Sequence, residues 1–425
     1  MKRPVVLLAL YALVAAAHAQ GDYPADLPPQ EIARRAIVEA PLLRAAEANV
    51  RGEEANRERL AAGTEEWAVR LDGQRRSVRD TVQQRFGEWA VALERPLRLP
   101  AKAAADRALG DQGVVQARVA RGDVQHETAR ALLKGWFDWL REREIHAQWQ
   151  EQTALLERQR DMTATRVRRG DAPRLELMQA EAALAQARAA REQARSRADI
   201  AAQELQRRFP ALALPVEVRP TEPQVLSGDA AEWREAVLQH DHELALAREE
   251  ARHARLLLAR ADAQRVPDPT VGIRYGSERA GEERVVGVSI SIPLPGAARR
   301  AAQGAALAQA EAAYQREAAA LVRAQTQADA LYTRAVAAHG HWANARSAAE
   351  RMGEAAELTA RAHGLGEASL AEVLAARRQA NEAALAARLG QLDALEARYR
   401  LLLDAHLLWD FNGESHYKER LSSAL

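Results

Sequence analysis

The chain has 425 residues and no cysteine, so thiol catalysis, disulfides and Cys-bound metal centres are excluded. Histidine is the next residue type able to do chemistry. His240, His242 and His253 fall in one stretch, and His339, His341 and His363 in another. His240 and His242 are two apart, as are His339 and His341, and on a helix that spacing points the rings away from each other. With no carboxylate cluster at ligand spacing, neither group reads as a metal site. No nucleophile elbow or phosphate-binding loop is present, so no catalytic residue and no cofactor is expected. Two carboxylates stand out by position instead. Gly170-Asp171-Ala172 is followed by Glu176, and Gly366-Glu367-Ala368 by Glu372, at an offset of 366 − 170 = 196.

That offset recurs. Arg95-Pro96-Leu97 matches Ile292-Pro293-Leu294 at 197, and residues 32–43 match 233–244 at 201. Three correspondences in one order argue for duplication of a unit of about 200 residues. The expected organisation is a first repeat over 20–209, a linker over 210–228 and a second repeat over 229–410, with a tail over 411–425. Pro210, Pro215, Pro220 and Pro223 mark the linker, because proline breaks helices.

The elements that must position the glutamates can be read within each repeat as helix, strand, strand, long helix, long helix. Residues 30–62 read as one helix. Trp67, Val69 and Leu71 alternate with Ala68, Arg70 and Asp72, and Trp89, Val91 and Leu93 alternate with smaller or charged residues. In the second repeat Val271, Ile273 and Tyr275, then Val286, Val288, Ile290 and Ile292, alternate with Gly, Ser and Arg. Period-two runs of this kind are strands. The charged segments 74–84 and 277–284 read as solvated loops between them. Residues 101–169 and 297–363 contain no proline, and at 1.5 Å per residue each could form a helix of about 100 Å. Gly170-Asp171 and Gly364-Leu365-Gly366-Glu367 then turn the chain, because glycine supplies the positive φ that a tight helix exit requires. The returning helices carry narrow apolar stripes, Leu175, Met178 and Leu184 in one and Leu370, Val373, Leu374 and Leu385 in the other. Narrow stripes with many alanines suit close coiled-coil packing.

Residues 1–19 carry Lys2 and Arg3, a short apolar core and Ala17-His18-Ala19, the pattern of a secretory signal peptide cleaved after Ala19. The alternative is an N-terminal anchor, for which the apolar core is short. No later stretch reaches a span of about 20 apolar residues. Lys and Arg total 60 against 59 Asp and Glu, a net charge of +1 that gives no bulk electrostatic case for nucleic acid. Four strands cannot close a barrel, and an open sheet is excluded from a bilayer. Three chains of four strands would give about twelve, within the outer membrane barrel range. The competing reading is a soluble sheet that buries its apolar face on helices.

This ordered set resembles the TolC-like outer membrane efflux proteins over essentially the whole mature sequence. The resemblance rests on the doubled element order and on the strand-to-helix runs Trp89-Ala-Val-Ala-Leu-Glu-Arg-Pro-Leu-Arg-Leu-Pro100 and Val286-Gly-Val-Ser-Ile-Ser-Ile-Pro-Leu-Pro-Gly296. It rests also on Pro267-Asp-Pro-Thr-Val-Gly272 and on the glutamate six residues past Gly170 and Gly366. It implies a mostly α fold with a membrane β-barrel: a homotrimer whose twelve-stranded barrel in the Gram-negative outer membrane continues as a periplasmic helical tunnel. It implies contact with outer membrane lipid, a periplasmic adaptor protein and an inner-membrane efflux pump of RND type. The tips at Gly170, Asp171, Gly364, Gly366 and Glu367 would meet the adaptor, and Glu372 and Glu176 would line the periplasmic entrance. Some relatives tie this gate shut with an arginine two residues after the second tip glycine; here that residue is Ala368. Among subgroups the heavy-metal resistance branch is the nearest likeness, which would make metal cations the cargo. The absence of an N-terminal cysteine, which is lipidated in many relatives, leaves the barrel as anchor. Two other classes stay open: a soluble periplasmic coiled-coil scaffold or adaptor, and an exported hydrolase.

Overall fold

Proline decides where the first helices begin and end in this computed structural model, which describes residues 23–79 and 83–409. The expected signal peptide and the 411–425 tail lie outside those residues. Helix α1 (Gln30–Val38) and helix α2 (Pro41–Ala62) replace the single helix expected over 30–62. Pro41 cannot donate to a preceding turn, so the first helix ends and Pro41 becomes the first residue of the second.

Strands β1 (Ala68–Arg79) and β2 (Gln83–Pro96) form a longer hairpin than the alternation suggested. The expected loop over 74–84 is mostly strand. Its polar and charged residues pair across the sheet: Gln74 Nε2 donates to Glu88 Oε2 at 2.7 Å, and Arg76 lies 3.0 Å from Glu88. The same correction applies to 277–284. Strand β3 (Thr270–Glu278) and strand β4 (Glu283–Ser291) are joined by one 3-10 turn at Arg279–Gly281. The four strands make one antiparallel sheet in the order β1-β2-β3-β4, with Val91 between Leu71 and Tyr275, and Ile273 between Leu93 and Val288.

Helix α3 (Pro100–Arg169) runs unbroken for 70 residues, and Gly110, Gly113 and Gly122 do not interrupt it. Helix α4 (Arg174–Arg208) returns from it. No helix or strand forms between Arg208 and Ala230, the proline-rich stretch. Helix α5 (Ala230–Gln239) opens the second copy on a capping box of Asp229 and Glu232. Helix α6 (His242–Ala263) precedes β3, and helix α7 (Ala297–Gly364, 68 residues) and helix α8 (Leu370–Asp404) follow β4.

The chain divides into two compact units, each drawing on both sequence repeats. One holds residues 45–123 and 242–323, including the whole sheet. Arg98 and Arg260 both pair with Asp106 there, and Lys102 Nζ donates to Asp268 Oδ2 at 2.7 Å. The other holds described residues 23–44, 124–241 and 324–409. Its core is Leu132, Leu133, Trp136, Phe137 and Leu140 of α3, packed with Ile37, Leu205, Phe209, Leu395, Tyr399 and Trp409. Each fully buried side chain of this size contributes about 1.5–3 kcal/mol. Buried Asp26 ties the N-terminal segment and the linker to that core. Its carboxylate accepts from Tyr399 Oη at 2.8 Å and from Thr221 Oγ1 at 2.7 Å, and its carbonyl from Trp136 Nε1 at 2.7 Å. Burial, together with the charge of Asp26, pushes the Tyr399 phenol up.

Candidate functional site

The two helix-to-helix turns have one geometry. At the first, Asp171 N–H donates to Arg166 O at 2.9 Å and Gly170 N–H to Val167 O at 3.1 Å. At the second, Glu367 N–H donates to Ala362 O at 2.9 Å and Gly366 N–H to His363 O at 3.0 Å. Both are Schellman closures with glycine at φ +83° and +82°. The offset of 196 is therefore a structural equivalence. Gly170, Asp171, Gly364, Gly366 and Glu367 are all exposed, as is the apolar side chain of Leu365.

The helices leaving these turns start differently. Pro173 precedes α4 and gives no side-chain cap. Ser369 precedes α8 and forms a capping box with Glu372, whose Oε2 accepts from Ser369 N at 2.7 Å and Ser369 Oγ at 2.9 Å. Those two hydrogen bonds, the backbone one first, hold the Glu372 carboxyl below its ordinary range. Glu372 is exposed. Glu176 occupies the same third helical position but is half-buried, with Oε2 3.8 Å from Arg166. The two sequence-predicted entrance residues are thus equivalent in position and different in environment.

Arg166 and His363 join the two turns, a pairing that sequence reasoning missed. Arg166 Nη1 lies 2.9 Å from His363 Nε2, and Arg166 Nη2 donates to Asp171 O at 3.4 Å. His363 Nδ1 lies 2.8 Å from the Ala368 carbonyl, so Nδ1 carries the proton and Nε2 accepts from Arg166. The only signal in the sequence was basic residues in the last turn of both long helices. Three of the other histidines come together, with His126 stacked on His406 at 5.3 Å between ring centroids. His240 stacks on His406 with centroids 4.5 Å apart, and His339 meets Trp342 edge-on at 5.5 Å. Near the end of α8, buried Asp404 accepts from Arg130 Nε at 2.8 Å and Arg400 Nε at 3.1 Å, with His126 Nε2 at 3.0 Å. Burial opposes ionisation of Asp404, but the His126 hydrogen bond and the two arginines outweigh it and lower its carboxyl to about 2.

The sheet has two unlike faces. On one, Leu71, Val286 and Val288 are 75–79% exposed, with Trp67, Val69, Ile273 and Ile290 also uncovered. On the other, Ala90 and Ala92 are only 3% and 4% exposed, and a Cβ on Gly272 would stand 2.8 Å from Glu94 and Ser289. The small-residue face is crowded around Ala90, Ala92 and Gly272, and the bulky apolar face is open. Within the sheet, β1 and β4 are both edge strands. No helix among the described residues is long and apolar enough to cross a membrane.

No protein-family model matches the sequence, and no curated protein is similar to it at the sequence level. Solved structures are similar in fold. The outer membrane protein VceC from Vibrio cholerae is 16% identical with a TM-score of 0.71, covering 89% of this chain and 95% of that one. The Campylobacter jejuni CmeC outer membrane channel is 12% identical with a TM-score of 0.66, covering 93% and 88%. The open state of the Neisseria gonorrhoeae MtrE outer membrane channel is 18% identical with a TM-score of 0.61, covering 88% of each. The long helical hairpins and the four-stranded sheet implied by the sequence resemblance are found in the single chain, which folds as these outer membrane channels do.

Proposed function

We propose that the protein is the outer membrane channel of a tripartite efflux system, passively conducting solutes from a periplasmic adaptor and an inner-membrane pump of RND type to the cell exterior. The single observation that carries this reading is the sheet. It leaves a bulky apolar face uncovered and two edges unpaired, which water does not favour and a bilayer forbids unless the edges close. Three copies, edge to edge, solve both problems at once. The apolar face then meets outer membrane lipid, and the crowded polar face lines a water-filled passage. A soluble periplasmic scaffold or adaptor would have to cover that face, and this chain leaves it bare.

The exposed turns are the docking tips for the adaptor in this reading, with Asp171 and Glu367 at their ends. Glu372, and secondarily Glu176, line the periplasmic entrance, where threefold symmetry repeats each carboxylate around the axis and favours cations at the mouth. Purified protein reconstituted into planar bilayers should give discrete, passive conductance steps. A preparation that inserts into lipid and never conducts would overturn the channel reading.

A further inference from the structure

The polar face of the sheet carries most of its charges in pairs. Arg70 pairs with Glu94 at 3.1 Å, Arg76 with Glu88 at 3.0 Å and Glu278 at 2.8 Å, and Arg279 with Glu283 at 3.3 Å. Arg274 is different. Among the described residues it makes no ion pair, and it is exposed. Its register fixes its side: Arg274 stands opposite Ala92 on β2, which stands opposite Arg70 on β1, and opposite Gly287 on β4. Along its own strand the neighbours on that face are Gly272 and Gly276. All four flanking positions, Ala92, Gly287, Gly272 and Gly276, carry a methyl group or nothing. Glu94 and Ser289 reach over Gly272, but nothing lies within 4 Å of a Cβ on Gly287, so the β4 side of Arg274 is open, and no carboxylate among the described residues forms an ion pair with its guanidinium. The other unpaired charge on this face is Asp72, two residues beyond Arg70 on β1. Together with the second carboxylate held by Arg76, it makes the rest of the face acidic.

We infer that Arg274 sets the charge selectivity of the passage. The inference rests on the barrel reading above, since it needs the polar face to be the lumen. Threefold symmetry then places three unpaired guanidinium groups at one level of the barrel wall. They oppose the passage of cations and favour solutes that present a carboxylate or phosphate. The bare Gly287 beside Arg274 leaves room for such a group to reach the guanidinium fork, which matches both anions in a bidentate manner. This ring acts against the acidic entrance proposed at the tips, so the two sets of residues filter opposite charges.

The test is the reversal potential of single channels across a salt gradient, at low ionic strength where charge is least screened. Arg274→Ser should raise the cation-over-anion permeability ratio about twofold or more, and Arg274→Lys should leave it near the wild-type value. Because the chain has no native cysteine, Arg274→Cys can be modified in channels already assembled, which removes any doubt about folding. A cationic thiol reagent should restore the wild-type ratio, and an anionic one should drive it further toward cations. Conducting channels whose ratio is unmoved by Ser substitution and by both reagents would overturn the inference and leave the channel reading standing. Wild-type protein that forms no channel would instead remove the channel reading itself.

Discussion

Glu372 carries two roles that a single substitution can separate. Its carboxylate closes the capping box with Ser369, and in the proposed trimer it faces its symmetry mates at the mouth. Glutamine at this third helical position also closes such a box. Glu372→Gln should therefore keep assembly intact and weaken block by a trivalent cation added from the periplasmic side, read as single-channel current. Unchanged block would reduce Glu372 to a helix cap and move the entrance to Glu176. Asp404 belongs to stability instead. Its carboxyl is lowered from 3.8 to about 2, so its contribution is complete above the ordinary carboxylate range and is lost as pH falls through about 2. Asp404→Asn leaves Arg130 and Arg400 without their shared counter-charge and should cost about 3 kcal/mol at neutral pH. Thermal unfolding followed from pH 7 downward should show the variant and wild type converging in acid. A constant gap down to about pH 2 would contradict the assignment. Neither the Asp404 group nor the Arg166–His363 pair was legible in the sequence. Their partners lie up to 278 residues apart, and local patterns do not say which helices touch.

At the scale of elements, the sequence was most informative where one residue type does one job. Gly170 and Gly366 marked both turns because a left-handed exit favours glycine, and the alternation around Val69, Val91, Ile273 and Val288 marked all four strands. It misled where polarity had two possible causes. Gln74, Arg76 and Glu88 read as solvent-facing loop and are cross-strand partners on a crowded sheet face. Pro41 was passed over inside an otherwise helical run, and it splits the run in two. The turns make a separable prediction. Nothing lies within 4 Å of a Cβ on Gly366, so Gly366→Ala should cost only the left-handed backbone strain, about 1–2 kcal/mol. Ser369→Ala removes the cap and should cost about 1 kcal/mol. Hydrogen exchange at the start of α8 should rise in both variants while the α1 amides stay unchanged. A global rise in Gly366→Ala would mean that the turn bears on more than its own hairpin.

At the scale of the molecule, the surroundings of the sheet decide the function. The hairpins β1–β2 and β3–β4 would project to the cell exterior. A cysteine at Ala280, in the exposed turn between β3 and β4, should react with an impermeant thiol reagent on intact cells. Ser277, within β3 and paired with Trp89 and Arg284, is the poorer probe that a loop reading of 277–284 would have chosen. Closure of the sheet is the central claim, because lipid contact, the lumen and both charge filters depend on it. It is tested most directly by native mass spectrometry of the full-length protein released from a mild, non-denaturing detergent. A dominant species of three chains is expected, persisting as protein concentration is lowered. A stable monomer with no larger species would contradict it, since a lone four-stranded sheet with both edges open has no place in a membrane.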